Sequence, residues 1–168
     1  MQLPKKVKKV GIFVNDGIEH IKNISEDCNL DFVQLSGDED VAFISTLRKS
    51  LNKKIIKSFR IRNEEDIKKA VQFQKRFPSE NFFVLLDSFK DGAYGGTGKT
   101  FDWGMAAGID KKRLFLSGGL NANNVVRAIR EVRPFCVDVC SGVEKSPGKK
   151  DSNKMKFFIE AAKQQVKE

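Results

Sequence analysis

The chain has 168 residues, enough for one domain with a core of ordinary size. Its hydrophobic fraction of 40% and charged fraction of 32% are typical of a folded globular protein and exclude a disordered one. The formal net charge of +9 allows a nucleic-acid partner. Because the lysines are scattered over predicted helices and the aromatic residues fall in apolar runs, the composition favours a basic surface that attracts a small anionic substrate.

The first residues show neither a signal peptide nor a membrane span. A basic head is followed by a mainly apolar run at 10–14, which is shorter than either segment requires. The three cysteines, Cys28, Cys136 and Cys140, lack metal-ligand spacing, and His20 is the one histidine. We therefore expect a cytoplasmic protein with reduced, mostly buried thiols, no metal, no membrane contact and no nucleic-acid partner.

Short β-branched or aromatic runs alternate with amphipathic segments along the chain. The predicted strands lie at 8–14, 32–35, 54–59, 82–87, 113–117 and 136–140. The predicted helices lie at about 16–28, 38–51, 63–76, 102–109, 121–132 and 152–166. The last helix has the clearest period, with one apolar face formed by Met155, Phe158, Ile159 and Ala162.

This alternation predicts one α/β domain, a parallel sheet wrapped by helices, over residues 1–168. Asn63 and Asn121 are the predicted N-caps of the helices that follow them. The pattern contains six βα units, whereas a closed (β/α)8 barrel needs eight. An open doubly wound sheet is the alternative, and in both folds ligands bind at the carboxyl ends of the strands.

Two glycine-bearing turns follow consecutive predicted strands near the C-terminus. The first contains Gly118 and Gly119, and the second contains Ser141 and Gly142. Turns of this kind leave backbone N–H groups free at the start of the next helix, where an anion is favoured. The pair predicts a shared phosphate site, which in a (β/α)8 barrel lies on the loops after strands 7 and 8.

Asp87 follows five apolar residues at the end of a predicted strand. This position is the rim where barrel enzymes carry their catalytic groups, and apolar walls there raise the pKa of a carboxyl. The alternative is a cap for the loop that follows. Position alone leaves the two roles equally supported.

The next candidate side chains lie on two other predicted strands. Period-2 alternation puts Asp138 and Cys140 on one face, so Asp138 either bonds a ligand or neighbouring chain or is a buried structural aspartate. Cys140 is expected to be a small core residue rather than a nucleophile. Gln34 ends its strand and could point its amide into the same site at the carboxyl ends of the strands.

The segment 91–103 is rich in glycine and resembles a phosphate-binding P-loop. The pattern G-x-x-x-x-G-K-[ST] fails because Ala93 occupies its first glycine position. A mobile loop that closes over a ligand is the favoured interpretation, with Lys99 as an anchor of that loop.

Taken together, these segments resemble the phosphoribosylanthranilate isomerase family of tryptophan biosynthesis. The motifs that carry the resemblance are VGIFVN (10–15), VQLSGDE (33–39), LLD (85–87), YGGTGKTFDW (94–103), LSGGLNANNV (116–125) and RPFCVDVCSGVEKSPGKKD (133–151). They occur in family order over nearly the whole chain. The resemblance implies a (β/α)8 barrel that needs no cofactor and performs an Amadori rearrangement of N-(5-phosphoribosyl)anthranilate.

The resemblance also implies roles for individual residues. Asp87 matches the general acid that protonates the ribose ring oxygen, and Asp138 matches a residue near the hydroxyl and amino groups of the substrate. Gln34 matches a residue lining the pocket. The phosphate-binding turns match Gly118, Gly119, Ser141 and Gly142. Where the family often has histidine, this chain has Ser36.

The sequence differs from the family pattern at its N-terminal end. Family members begin with two more βα units, which supply a Lys-Ile-Cys-Gly motif with the cysteine base and an arginine for the anthranilate carboxylate, and neither motif occurs here. We expect this chain to represent units three to eight, with about 40–50 further residues encoded upstream. Cys140 is a poor substitute base because it adjoins the phosphate turn.

An alternative to this expectation is an inactive phosphosugar-binding barrel fragment that another chain completes. In either case, two missing strands would leave two exposed sheet edges. We expect these edges to cause poor solubility or a homodimer closed edge to edge.

Overall fold

A parallel sheet of six strands organises the described residues, 4, 6–88 and 100–164, of the computed structural model. The strands neighbour one another in chain order: β1 Val10–Phe13, β2 Phe32–Leu35, β3 Lys54–Ile61, β4 Phe82–Ser88, β5 Leu114–Leu116 and β6 Cys136–Val137. The helices are α1 Ile18–Asp27, α2 Val41–Ser50, α3 Glu64–Arg76, α4 Val125–Val132 and α5 Ser152–Gln164. A short antiparallel hairpin, β7 Glu144–Ser146 and β8 Lys149–Lys150, precedes α5.

The α/β class and the parallel sheet are confirmed, and the strand order is that of consecutive βα units. None of the described helices is long and apolar enough to cross a membrane. The segment predicted as a helix at 102–109 is instead a 3-10 helix, Trp103–Gly108. Asp102 is its N-cap, because the Asp102 side chain accepts a hydrogen bond from the backbone N–H of Gly104.

Alternate residues of each strand face opposite sides of the sheet. One side packs against the helices and forms the main core, to which β4 contributes Phe82, Val84 and Leu86. The other side, here called the inner face, carries a second apolar cluster formed by Phe32, Ile56, Phe83, Leu85 and the half-buried Phe115. Three of its aromatic rings meet edge to face, which fixes the sheet around β4.

Two asparagines were predicted to be helix N-caps, and the structure confirms one prediction and contradicts the other. Asn63 caps α3, because its side-chain oxygen accepts from the backbone N–H groups of Glu65 and Asp66. The prediction for Asn121 is wrong: its side chain accepts from the N–H of Asn123 and closes a turn before α4. That helix begins at Val125 because the 122–124 turn intervenes.

A buried ion pair joins β3 to the loop after β2. The ammonium of Lys57 lies 2.9 Å from a carboxylate oxygen of Glu39, and both side chains are almost inaccessible to solvent. The Glu39 carboxylate also accepts from the backbone N–H groups of Asn15 and Gly37. Glu39 therefore connects the carboxyl ends of β1 and β2 to the middle of β3.

The sheet has open edges at β1 and β6 in the part of the chain that the structure describes. Each of these strands pairs on one side only. Val10, Ile12 and Val14 are exposed on or beside β1, with Ile12 at 65%, and Phe135 is exposed before β6. The predicted exposed edges are therefore present among the described residues.

Two expectations about burial are wrong. In α5 only Phe158 of the predicted apolar face is buried, whereas Met155 and Ile159 remain exposed, because among the described residues α5 packs mainly against α4 and the turn before β7. The cysteines are free but not mostly buried, since Cys28 and Cys140 are exposed. Cys140 is thus not a core residue, because β6 ends at Val137 and the chain turns away from the sheet.

Candidate active site

Polar side chains follow the apolar cluster on the inner face, at the carboxyl ends of the strands. Ile56, Phe83 and Phe115 belong to the apolar cluster. Arg60, Asp87 and Ser117 lie two or four residues beyond them and so share their face. Asp138, one residue beyond the Leu116–Val137 pair, is level with Ser117, whereas Gln34 of β2 pairs with Ile56 at the level of the apolar cluster. The inner face therefore changes from apolar to polar at its carboxyl end.

Asp87 is half-buried at the end of β4, in register with Arg60 of β3. Burial raises the pKa of the Asp87 carboxyl above its ordinary value, and the negative charge of Asp138 raises it further. Arg60 and the backbone N–H of Ser88 act in the opposite direction on this pKa, without overcoming the rise. A carboxyl in this setting retains its proton to a higher pH and can donate it. Its alternative role as a loop cap concerns residues 89–99, which lie outside the described residues.

Asp138 is exposed and hydrogen-bonded, which differs from the buried structural aspartate considered as an alternative. The Ser117 hydroxyl donates to a carboxylate oxygen of Asp138 at 2.8 Å. The backbone N–H of Asp138 donates to the carbonyl of Leu116, also at 2.8 Å. Asp138 is therefore held toward β5 and Asp87, with its remaining acceptor sites open to a ligand.

The two glycine turns pack directly against each other. Gly118 and Gly119 have φ angles of 87° and 68°, a left-handed conformation that favours glycine. A Cβ atom on Gly118 would overlap the backbone nitrogen of Ser88, and one on Gly142 would overlap the carbonyl oxygen of Leu120. The second contact places Gly142 beside the turn that contains Gly118 and Gly119, and glycine is required for the close approach at positions 118 and 142.

Side chains fix the first of these turns from both sides. The Asn124 amide donates to the carbonyl of Gly119 at 3.0 Å, and its oxygen accepts from the N–H of Asn121 at 2.8 Å. On the other side, the Ser88 hydroxyl donates to the carbonyl of Gly118 at 3.3 Å and accepts from the N–H of Phe101 at 3.1 Å. These bonds occupy the carbonyls of both glycines.

Ser141 begins the second turn and lies beside Cys140, outside the strand. Ser141 and Gly142 belong to a single 3-10 turn, Ser141–Val143, which begins after residues 138–140 that follow β6. The thiol of Cys140 lies 3.2 Å from the ammonium of Lys150 in the β7–β8 hairpin. The same ammonium also donates to the Glu144 carboxylate. Cys140 is therefore directed to the hairpin and contributes no described contact to Asp87.

Gln34 is half-buried on the inner face, and its amide donates to the Ser36 hydroxyl at 3.2 Å. It lies two strands away from Asp87, since β3 separates β2 from β4. Lys99 and most of the predicted closing loop lie outside the described residues. The sequence motifs do not identify Arg60, Ser88 or Asn124, because the positions of these residues become informative only once the strands and turns are paired.

Parallel βα units with a polar site at the carboxyl ends of the strands define an α/β protein of the class in which phosphosugar enzymes are common. The model of the N-(5′-phosphoribosyl)anthranilate (PRA) isomerase family matches residues 1–161. The chain belongs to this family. Its isomerase function in tryptophan biosynthesis, predicted from the ordered motifs, is thereby confirmed.

Individual relatives agree with this assignment. The N-(5′-phosphoribosyl)anthranilate isomerase of Thermotoga neapolitana is 47% identical over 165 residues, which cover 97% of this chain and 76% of that protein. The crystal structure of the enzyme from Thermotoga maritima is 41% identical, with a TM-score of 0.84 over 96% of this chain and 76% of its own. A second crystal structure holds reduced 1-(o-carboxyphenylamino)-1-deoxyribulose 5-phosphate; it is 36% identical, with a TM-score of 0.79 over 97% of this chain and 75% of its own.

Proposed function

We propose that this protein acts on N-(5-phosphoribosyl)anthranilate and forms 1-(2-carboxyphenylamino)-1-deoxyribulose 5-phosphate. The observation that carries the proposal is the Asp87 carboxyl, whose pKa is raised at the carboxyl end of β4 beside the Gly118–Gly119 turn. Family membership supplies the reaction class, and the inner face supplies the groups that the reaction needs.

Asp87 is the general acid of this proposal. Its proton passes to the ribose ring oxygen as the bond between that oxygen and C1 breaks, and the anthranilate nitrogen forms a double bond to C1. A base, which the family resemblance gives as the cysteine of the Lys-Ile-Cys-Gly motif, then takes the proton from C2 to form the enol, and the enol becomes the ketone when C1 gains a proton and the hydroxyl at C2 loses one. General acid catalysis of this kind contributes roughly 10²–10⁴-fold, and the raised pKa of Asp87 favours its protonated form.

The phosphate of the substrate binds at the paired glycine turns. The carbonyls of Gly118 and Gly119 are already bonded to side chains, so the N–H groups of Gly118, Gly119, Ser141 and Gly142 are the proposed donors. Asp138, fixed by the Ser117 hydroxyl, takes the hydroxyl and amino groups of the substrate, and Gln34 lines the pocket.

The six βα units form part of a (β/α)8-type barrel in this proposal, as a single domain in the cytoplasm. The inner face, with its apolar cluster and polar rim, corresponds to the interior of that barrel. β1 and β6 border the gap, and their exposed Ile12 and Phe135 support closure by further strands or by a second copy of the chain.

A second candidate is phosphosugar binding without turnover. It is favoured by one observation: the thiol of Cys140, the cysteine considered as a base, lies against Lys150 and Glu144 of the hairpin and makes no described contact to Asp87. In this candidate the C2 proton is not removed.

Isomerase assays with the purified chain, and complementation of a tryptophan auxotroph that lacks the isomerase, distinguish the two candidates. We expect turnover by the wild-type chain and a loss of about 10²–10⁴-fold in kcat for Asp87→Asn. Asp27→Asn, at the exposed end of α1, is the matched control and should retain full activity. Binding of the reduced product without turnover supports the second candidate, and no binding at all excludes both.

A further inference from the structure

Ser88 ends β4 directly after Asp87 and joins three parts of the candidate site that are far apart in the sequence. Its backbone N–H donates to the Asp87 carboxyl. Its hydroxyl donates to the carbonyl of Gly118 at 3.3 Å and accepts from the backbone N–H of Phe101 at 3.1 Å. Ser88 therefore connects the acid, the turn of Gly118 and Gly119 (here called the first glycine turn) and the segment that leads to the 3-10 helix.

The side chain of Ser88 points away from the inner face. Alternation along β4 puts Asp87 on the inner face with Phe83, whereas Ser88 shares the helix side with Leu86. Both hydrogen bonds of its hydroxyl are made to backbone groups. Ser88 can therefore act on the reaction through the groups that it holds, and not by contact with the substrate.

The first glycine turn lies directly against Ser88. A Cβ atom on Gly118 would overlap the backbone nitrogen, the Cβ and the hydroxyl oxygen of Ser88. One residue earlier, the N–H of Ser117 donates to the carbonyl of Leu86 at 2.8 Å. The bond from the Ser88 hydroxyl thus continues the contact between the two strands beyond the end of β5 and fixes the turn beside the end of β4.

The same bond sets the direction of a proposed phosphate donor. The carbonyl of Gly118 and the N–H of Gly119 belong to one trans peptide unit, in which they point in opposite directions. Because the Ser88 hydroxyl holds the carbonyl, the N–H of Gly119 is directed away from Ser88. In the part of the chain that the structure describes, this N–H has no acceptor. It is therefore free to bind an anion.

The donors of this network run in one direction. The N–H of Phe101 donates to the Ser88 oxygen, the single hydroxyl proton of Ser88 goes to the carbonyl of Gly118, and the peptide unit then presents the N–H of Gly119. Hydrogen bonds arranged in such a chain polarise and strengthen one another. A phosphate that accepts from Gly119 should therefore strengthen the bonds at Ser88 and Phe101.

We propose that Ser88 is a positioning residue that couples phosphate binding at the first glycine turn to the backbone N–H of Phe101. This inference rests on the proposed function, because it requires the phosphate of the substrate to bind at the N–H of Gly119. Ser88 transfers no proton and contacts no reacting atom.

The test is an NMR titration of the isotope-labelled full chain with two ligands, inorganic phosphate and reduced 1-(o-carboxyphenylamino)-1-deoxyribulose 5-phosphate. In the wild-type chain, each ligand should shift the amide signal of Phe101 and slow its hydrogen exchange. Ser88→Ala should weaken binding of both ligands by about 2–10-fold, because one neutral hydrogen bond is lost, and should remove the response of Phe101. Ser88→Thr keeps the hydroxyl and should restore both properties.

Two controls separate positioning from a general disturbance of the strand end. Ser45→Ala removes a hydroxyl that donates to the carbonyl of Val41 within α2, and it should change neither the affinities nor the Phe101 signal. The pKa of Asp87, followed at its carboxyl carbon, is the second readout. Since Ser88→Ala keeps the backbone N–H that bonds Asp87, this pKa should remain at its wild-type value.

The inference is overturned if Ser88→Ala leaves the affinities unchanged, leaves the Phe101 response equal to that of wild type, or moves the pKa of Asp87. In each of these cases the wild-type chain still binds the ligands, so the proposed function stands. If the wild-type chain binds neither ligand, the proposed function fails and the inference fails with it.

Discussion

The Ser117 hydroxyl donates a hydrogen bond of 2.8 Å to the Asp138 carboxylate and so joins the ends of β5 and β6. This bond holds a negative charge within reach of Asp87, whose pKa it helps to raise. Two carboxyl groups with different environments can take different roles, one protonated and one charged. The pair therefore links the sheet geometry to acid catalysis.

The first prediction concerns the charge of Asp138. Asp138→Asn removes a negative neighbour of Asp87, so the pKa of Asp87 should fall toward its ordinary value. Arg60→Met removes a positive neighbour and should move the same pKa upward. Titration of the Asp87 carboxyl carbon by NMR measures both. Shifts in the same direction for the two variants would contradict the electrostatic account.

The second prediction concerns stability as a function of pH. Because the folded-state pKa of Asp87 is raised, its contribution to the free energy of unfolding is complete below its ordinary pKa of 3.8 and is lost as pH rises through the folded-state value. Asp87→Asn removes this loss, so the variant should be more stable than wild type at neutral pH while losing activity. Urea unfolding at several pH values measures the difference.

Asp66→Asn is the control of opposite sign. The Arg62 side chain holds the pKa of Asp66 below its ordinary value, so its stabilisation is present above that value and is lost as pH falls through the lowered pKa. The variant should therefore be less stable than wild type at neutral pH. If Asp87→Asn and Asp66→Asn changed the free energy of unfolding equally, the environment of Asp87 would not destabilise its charged form.

The third prediction concerns the buried pair of Lys57 and Glu39. Lys57→Met leaves the Glu39 carboxylate buried without its cation, and we expect a loss of about 3–5 kcal/mol in the free energy of unfolding. Lys68→Met, which breaks an exposed pair with Glu65 on α3, should cost less than about 1 kcal/mol. Chemical denaturation provides both values. Similar losses for the two variants would mean that the buried pair does not fix the strand ends.

The fourth prediction concerns the open sheet edge. If β1 mediates self-association, Ile12→Lys should shift the chain toward monomer in sedimentation velocity, because the charge disfavours burial of that edge. Phe157→Lys replaces an exposed apolar residue on α5 and should leave association unchanged. A wild-type chain that sediments as a monomer at all concentrations would contradict the proposed edge-to-edge dimer.

The sequence predicts the elements of this fold well but not their environments. The run ending at Asp87 identifies β4 because five consecutive apolar residues suit a strand buried on both faces. The relationship between Arg60 and Asp87 could not be predicted, since it depends on the register between β3 and β4. The exposure of Met155 on α5 has the same origin: periodicity identifies an apolar face, while neighbouring elements decide whether that face is covered.

The site was predicted in outline and not in detail. Glycine pairs after strands identify Gly118, Gly119 and Gly142, because turns that tolerate no Cβ have few alternatives. Asn124, which fixes the first turn, carries no comparable signal. Its role depends on a side chain reaching back to the carbonyl of Gly119.

The most direct test of the central claim is an NMR titration of the isotope-labelled full chain with reduced 1-(o-carboxyphenylamino)-1-deoxyribulose 5-phosphate. We expect the largest backbone amide shifts at Gly118, Gly119, Ser141 and Gly142, together with a shift of the Asp87 carboxyl signal. Binding that shifts other amides and leaves these five residues unchanged would contradict it.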